Sequence, residues 1–104
     1  MQDKLENFQP VCSTEEVPQQ LPLRVVFNGR GVLIVRDGDE FRAVDEICPH
    51  ENQSMRYGVI FDGELICPHH QYRFDLKTGR CNRRCAPVQT YQTRVVDGQV
   101  WLAV

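Results

Sequence analysis

The stretch "VIFDGELICPHH", residues 59–70, joins a predicted β-hairpin to a group of metal-binding side chains. Apolar residues lie on both sides of the central Asp-Gly pair, a pattern typical of two short strands joined by a tight turn. The second strand leads directly into Cys67, His69 and His70. The stretch therefore predicts a β scaffold that presents thiolate and imidazole ligands on a loop at the end of a strand.

A related box, "CPH", occupies residues 48–50. The chain of 104 residues has three histidines, and all of them lie in these two boxes, directly after a Cys-Pro pair. A chance distribution would scatter them. The order is Cys-x-His, then sixteen residues, then Cys-x-x-His. The boxes therefore predict one metal centre on which both loops close, with candidate ligands Cys48, His50, Cys67 and His70.

Two kinds of centre fit this ligand set. A structural zinc site can take two cysteines and two histidines, but it usually draws like ligands from one short segment, as Cys-x₂₋₄-Cys and His-x₃₋₅-His. Here each loop supplies one ligand of each kind. A [2Fe–2S] cluster with mixed ligation has two non-equivalent irons, one bound by two cysteines and the other by two histidines. The alternation of ligands between the loops favours the cluster over zinc.

The rest of the chain predicts an all-β protein. Short runs rich in β-branched and aromatic residues are separated by turn signals, and no window of a dozen residues has a helical period. Besides the hairpin, these runs cover residues 21–27, 31–36, 40–46, 72–76 and 90–104. Strands and turns at this spacing predict an antiparallel β-sandwich or a small barrel.

Composition excludes several classes of function. The net charge of −2 argues against a general nucleic-acid binder. The N-terminal "MQDKLENFQP" does not look like a signal peptide, and no apolar run approaches the ~20 residues that a membrane-spanning helix needs. We therefore expect a cytoplasmic protein. Since thiols stay reduced there, its five cysteines predict metal ligands and free thiols rather than disulfides.

Several motifs together resemble those of the Rieske-type [2Fe–2S] ferredoxins. The resemblance covers nearly the whole chain, and the two Cys-Pro-His boxes carry most of it. Around them, similar residues recur in that family: Gly58, "DGELICP" (62–68), "RFD" (73–75), "TG" (78–79), "CAPVQTY" (85–91), the final hairpin around "DG" (97–98) and "PVC" (10–12) in the first strand.

The resemblance implies the fold and the ligand assignment. It predicts an antiparallel β-sandwich with a small cluster-binding subdomain, forming a single domain over residues 1–104 with cluster-binding loops at about 47–55 and 66–72. It implies that Cys48 and Cys67 bind one iron and that His50 and His70 bind the other. It also implies that His69 is not a ligand.

Departures from the pattern of the high-potential members indicate which branch of the family the chain resembles. High-potential Rieske proteins of respiratory complexes carry a second cysteine in each loop, joined as a disulfide, whereas this chain has Gln53 and His69 at the corresponding positions. The sequence therefore resembles the soluble, lower-potential branch. Gln71 replaces a glycine that often follows the last ligand, and Asn52 replaces a small residue of the first loop. Asparagine tolerates a positive φ, so we expect the loop to be retained.

Three other cysteines lie outside the boxes. We expect Cys12 to be a buried strand residue that packs as a small apolar group. Cys81 and Cys85 flank the segment that, by resemblance, covers the cluster with Pro87. In a reducing compartment we expect them to be two reduced thiols, the alternative being a redox-sensitive pair.

The function implied by the resemblance is that of a one-electron carrier. Its expected partners are a flavin-dependent reductase as donor and a terminal oxygenase as acceptor, and we expect a monomer. We expect no catalysis by this chain alone, because a Rieske oxygenase needs a second iron site with two histidines and a carboxylate. The alternative function is that of the small iron–sulfur subunit of a nitrite reductase-type complex.

A basic run lies next to the second box. It contains Arg73, Lys77, Arg80, Arg83 and Arg84 with one acid, Asp75. Such a run is compatible with solvated strand ends, or with a positive rim that steers an acidic partner. We favour the rim for the two arginines at 83 and 84, which should lie closest to the cluster.

Overall fold

The computed structural model describes residues 5–50, 52–69 and 71–104. Their secondary structure consists of ten strands and one 3₁₀ turn at Thr14–Glu16: β1 (Phe8–Ser13), β2 (Leu23–Phe27), β3 (Arg30–Asp37), β4 (Glu40–Asp45), β5 (Val59–Phe61), β6 (Glu64–Ile66), β7 (Arg73–Asp75), β8 (Thr90–Tyr91), β9 (Thr93–Val96) and β10 (Gln99–Ala103). No helix in the described ranges is long and apolar enough to cross a membrane. The predicted all-β, antiparallel class is confirmed.

The strands form three antiparallel sheets, with orders β2-β3-β4-β8, β1-β10-β9 and β5-β6-β7. Tight turns connect consecutive strands. Between β2 and β3, Asn28 and Gly29 both have positive φ, at 52° and 77°. This is the backbone of a type I′ turn, whose twist matches that of an antiparallel pair. The predicted hairpin at residues 59–66 has the expected bounds and pairing, and the turn at 97–98 joins an antiparallel pair as expected.

One predicted strand is divided between two sheets. The run from Thr90 to Val96 was expected to be a single arm of the closing hairpin. Instead, β8 pairs with β4, while β9 pairs with β10. The chain changes sheets at Gln92, whose carbonyl accepts a hydrogen bond from the Ala103 N–H at 3.0 Å. The sequence pattern is continuous across this point, so it carries no signal of the change.

Strand β3 is buried on both faces, and this places it at the centre of the molecule. Residues 32–35 are all fully buried. Because side chains alternate along a strand, Leu33 and Val35 pack into one apolar core while Val32 and Ile34 pack into another. The β2-β3-β4-β8 sheet therefore separates two cores, one facing β10 and the other facing the β5-β6-β7 sheet.

The region that carries both Cys-Pro-His boxes is an insertion between β4 and β8. These strands pair at Ala43–Tyr91 and Val44–Thr90, and the Asp45 N–H donates to the Gln89 carbonyl at 2.9 Å. The chain thus leaves the central sheet and returns to it at the same place. We call residues 46–88 the tip, and residues 5–45 with 89–104 the base.

Candidate metal centre

The first box lies on a loop closed by its own backbone. The Cys48 N–H donates to the Gln53 carbonyl at 2.8 Å, and the Asn52 N–H donates back to the Cys48 carbonyl at 2.7 Å. Below them, Ile47 and Ser54 form an isolated β-bridge. The loop therefore starts and ends at one point, which fixes the direction of the Cys48 side chain.

The second box follows β6 and has a similar closure. The Cys67 N–H donates to the Tyr72 carbonyl at 2.7 Å. Within the loop, the His69 N–H points at the Cys67 sulfur, at 3.4 Å. Hydrogen bonds from backbone N–H groups to a ligand sulfur stabilise its thiolate form and tune a bound metal.

Both loops contain a non-glycine residue in the left-handed region. Asn52 has φ of 58° and Gln71 has φ of 55°. The expectation that the first loop is retained with Asn52 is met in the fold. The turn is retained in the second loop as well, although glutamine lacks the tolerance of glycine or asparagine for this conformation. Each strained residue is held by a loop whose ends are hydrogen-bonded.

The thiols of the two loops and the described imidazole of the ligand set differ in burial. Cys48 and Cys67 are fully buried and belong to the same apolar core, together with Phe74 and Leu65. His50 is exposed. Buried thiols on two loops, with an exposed imidazole on one of them, fit the two kinds of donor that a [2Fe–2S] cluster with mixed ligation takes.

The second loop also contacts His50 directly. The Tyr72 ring stacks on the His50 imidazole, with centroids 4.1 Å apart and planes inclined by 18°. The loops are therefore in contact at the outer side of the site. The predicted ligand His70 lies outside the described residues.

Three of the four predicted ligands, Cys48, His50 and Cys67, are among the described residues. Within residues 5–50, 52–69 and 71–104, no three side chains of His, Cys, Asp or Glu are grouped as ligands for one metal ion. A two-iron cluster needs only two protein ligands on each iron. In such a cluster, Cys48 and Cys67 would bind one of the two irons, as the sequence predicts.

A buried carboxylate anchors the first loop to the base. Glu46 accepts hydrogen bonds from the Ser54 hydroxyl at 2.6 Å and from the Arg24 guanidinium at 2.8 Å. Burial by itself would raise the pKa of the Glu46 carboxyl, but these hydrogen bonds and the charge of Arg24 outweigh it and lower the pKa. Glu46 therefore remains ionised and ties the start of the loop to its end.

A third segment lies beside the two loops. Pro87 lines a groove of about 410 Å³ together with Pro49, Ile47 and Val88. Pro87 therefore lies beside the first loop, while its expected role of covering the cluster stays a prediction. The segment turns at Gly79, where φ is 78° and an added Cβ would lie 2.2 Å from the Val88 carbonyl oxygen.

The expectation of two reduced thiols at Cys81 and Cys85 is wrong, because the structure joins them in a disulfide with a Cα–Cα distance of 5.9 Å. The expectation rested on the reducing state of a cytoplasm and took no account of geometry, whereas the fold holds these two cysteines at a Cα–Cα distance typical of a disulfide. Cys12 is half-buried, and burial, helped by the charge of Glu16, raises the pKa of its thiol to about 11. It is therefore protonated and packs against the apolar core of the base, but it is half-buried and not fully buried as expected.

The sequence analysis missed Tyr72, and it gave no sign that Arg83, expected in the positive rim, contacts an aromatic ring. Tyr72 contacts His50, and the guanidinium carbon of Arg83 lies 4.7 Å from the centre of the Tyr72 ring. Arg83 had been considered only as an exposed charge. The separation of eleven residues between the arginine and the tyrosine gives no periodic signal, since the disulfide loop brings them together.

Comparisons with known proteins agree with this geometry. Residues 7–94 match the family described as the Rieske [2Fe–2S] domain. The chain is 36% identical to the 3-phenylpropionate/cinnamic acid dioxygenase ferredoxin subunit of Photorhabdus laumondii, over 90% of this chain and 91% of that protein. It is 33% identical to the anthranilate 1,2-dioxygenase ferredoxin subunit of Burkholderia cepacia, over 92% and 91% of the two chains.

Solved structures share the fold. One, described as a complex of reduced oxygenase and oxidised ferredoxin in carbazole 1,9a-dioxygenase, matches with a TM-score of 0.83 and 25% identity, over 94% of each chain. Another, described as a putative nitrite reductase small subunit, matches with a TM-score of 0.84 at 22% identity, over 93% of this chain and 98% of that one, a likeness that shows the fold alone. With the family match over residues 7–94, the buried thiol pair and the exposed imidazole, the chain belongs to the Rieske [2Fe–2S] domain family.

Proposed function

We propose that the chain is the ferredoxin component of a multicomponent dioxygenase system, and that Cys48, His50, Cys67 and His70 hold its [2Fe–2S] cluster. The observation that carries this proposal is the pair of buried thiols at the ends of two loops, with His50 at the outer surface. The ferredoxin subunits to which the chain is similar span nearly its whole length. The cofactor predicted from the sequence is the one that the family binds.

The bound cluster would supply one-electron chemistry. Replacing two thiolates by neutral imidazoles raises the potential of such a cluster to about −150 to +300 mV, from about −400 mV with four cysteines. The residues of this chain define the environment. The core around Cys48 and Cys67 excludes water from the thiol side, and the His69 N–H tunes the Cys67 sulfur. The exposed His50 edge gives a partner its shortest approach.

The acceptor is a terminal oxygenase, in keeping with the similarity to dioxygenase ferredoxins and to the ferredoxin described in complex with an oxygenase. A flavin-dependent reductase is the proposed donor. The cytoplasmic location, the monomeric state and the single domain over residues 1–104 also stay predictions. The alternative function in a nitrite reductase complex has only the likeness of fold in its favour.

The first experiment measures cofactor content. The purified chain should contain two irons and two acid-labile sulfides, in keeping with the [2Fe–2S] family. After reduction it should give the low average g value of mixed Cys/His ligation. One zinc and a colourless solution would overturn the proposal.

The second experiment tests the imidazole assignment with a matched pair of variants. His50→Ala should abolish the cluster or change its EPR spectrum grossly, whereas His69→Ala should leave both iron content and spectrum intact. The reason is that His69 reaches the Cys67 sulfur through its backbone N–H, which the substitution keeps. Equal loss of iron in the two variants would contradict the assignment.

A further inference from the structure

The disulfide loop of the tip, residues 81–87, is attached to the protein mainly at its two cysteines. At one end, Cys81 forms a β-bridge with Phe74, and the Asn82 N–H donates to the Arg73 carbonyl at 2.9 Å. From residue 83 to residue 87, which the structure describes completely, the backbone hydrogen bonds stay inside the loop. Bonding to the rest of the fold resumes at Val88. The S–S bond is therefore the main crosslink that holds this loop in place.

The disulfide constrains a short segment and does not crosslink distant parts of the domain. It joins cysteines only four residues apart. In the chain-entropy account, the stabilisation that a disulfide gives grows with the length of the loop it closes, so a loop this short gives the least. Its main effect is thus on the position of the three exposed residues between the cysteines.

Those residues make the sulfurs suited to exchange. Asn82, Arg83 and Arg84 are exposed, and both cysteines are only half-buried. Positive charge beside a cysteine lowers the pKa of its thiol, and a thiol of lower pKa leaves faster when a disulfide is attacked. Two arginines between the bridged cysteines therefore favour reduction of this bond by an external thiol.

The same loop is connected to the metal centre by direct contacts. Arg83 lies on the Tyr72 ring, and Tyr72 stacks on His50. Both bridged cysteines and Tyr72 also pack against the core that contains Cys48 and Cys67. A change in the loop thus reaches the exposed imidazole through one intervening ring.

We propose that Cys81–Cys85 is a thiol–disulfide exchange site for an external dithiol, and that its redox state decides whether Arg83 stays on Tyr72. One thiolate of the dithiol attacks a bridge sulfur, which breaks the S–S bond and forms a mixed disulfide. The second thiol of the dithiol displaces the remaining cysteine. Two electrons and two protons pass to the bridge, giving two cysteine thiols and an oxidised dithiol. The iron–sulfur centre takes no part in this exchange.

The first test counts thiols in the holoprotein, with dithiothreitol as the probe. The protein is equilibrated in mixtures of oxidised and reduced dithiothreitol, quenched with acid, unfolded, alkylated and weighed. Three labels are expected on the bridged form, at Cys12, Cys48 and Cys67, and five on the reduced form. The C81S/C85S double variant should give three in every mixture. Five labels without reductant, or three in the fully reduced buffer with the native protein, would overturn the exchange site.

The second test measures the coupling to the metal centre, which rests on the proposed function. Reduction, or C81S/C85S, should speed hydrogen–deuterium exchange of the amides of residues 82–86, change the visible circular dichroism of the cluster and lower the low-salt rate of electron delivery several-fold. Cys12→Ser should change none of these. In Arg83→Gln the rate should no longer depend on the state of the bridge. Identical exchange and spectra in both states would overturn the coupling, while the thiol count would still report on the bridge if the chain carried no cluster.

Discussion

The tip and the base are both built from antiparallel strands, yet they are held together in different ways. In the base, β3 and β4 have eight and six residues and pair with each other, and β1, with six residues, pairs with β10. In the tip, β5, β6 and β7 have three residues each. Short strands contribute few backbone hydrogen bonds, so the tip depends on a small number of buried groups. The pattern of long strands therefore determines the fold of the base, whereas individual buried side chains determine the fold of the tip.

The largest expected effect is on the iron content, when one thiol of the tip and one thiol of the base are replaced in turn. Cys48→Ser should lose the cluster almost completely, because Cys48 is a proposed ligand and lies in the core of the tip. Cys12→Ser, the matched change in the base, should keep normal iron content. Iron analysis and visible absorption check both. Loss of iron from the Cys12 variant would break the distinction between the regions.

The next effect compares the two apolar cores. Phe74 and Leu102 are both fully buried, one facing the tip and the other the base. Truncation should cost about 3–5 kcal/mol of the free energy of unfolding for Phe74→Ala and about 2–5 kcal/mol for Leu102→Ala. Only Phe74→Ala should also change the visible circular dichroism of the cluster, since it alone borders the ligand thiols. Denaturant unfolding gives the energies. A spectral change in both variants would mean that the cores are not separate.

A smaller effect concerns the carboxylate at the junction of the regions. The pKa of Glu46 is lowered in the folded protein, so its contribution to stability is complete above the ordinary value of 4.5 and is lost as the pH falls below it. Glu46→Gln should cost about 1 kcal/mol at pH 7 and flatten the loss of stability between about pH 5 and pH 3. Glu40→Gln, which removes an exposed partner of Arg42 in the base, is the control. If Glu46→Gln lost stability with falling pH in the same way as the native protein, the ionised Glu46 carboxylate would not stabilise the junction between the tip and the base.

The smallest effect tests the charge of the tip surface. Reversing Arg83 and Arg84 to Glu should slow electron delivery at low salt and change the potential little, because exposed charges are screened over about 10 Å at 0.1 M. Arg94→Glu places a reversed charge in the base and should leave the rate unaltered. Stopped-flow measurements across ionic strength provide the check. Equal rates for native protein and double variant would mean that the arginines do not steer the partner.

The comparison also explains what the sequence could and could not predict. Alternating patterns and Asp-Gly turns specify most strands, because burial and turn geometry are local properties of the chain. The two Cys-Pro-His boxes indicate the cofactor, because the type and the spacing of ligands can be read directly from the sequence. The division of residues 90–96 between sheets depends on which partner strand is nearest in space. The contacts of Arg83 with Tyr72 and of Tyr72 with His50 lie beside a disulfide that a general rule about the cytoplasm predicted to be absent. These two features arise from tertiary neighbours, for which a single sequence has no direct signal.

The pairing of β4 with β8 at the foot of the tip has a consequence for protein engineering. Since residues 46–88 leave and rejoin the central sheet at hydrogen-bonded neighbours, they could be spliced into the hairpin connection of an unrelated antiparallel sheet. The grafted segment would still lack part of its apolar core, because Leu33, Val35 and Val44 of the base complete that core. A host would have to supply three apolar side chains at those positions. Transfer of residues 46–88 to another protein is therefore limited by these missing core side chains and not by the joining of the two chain ends.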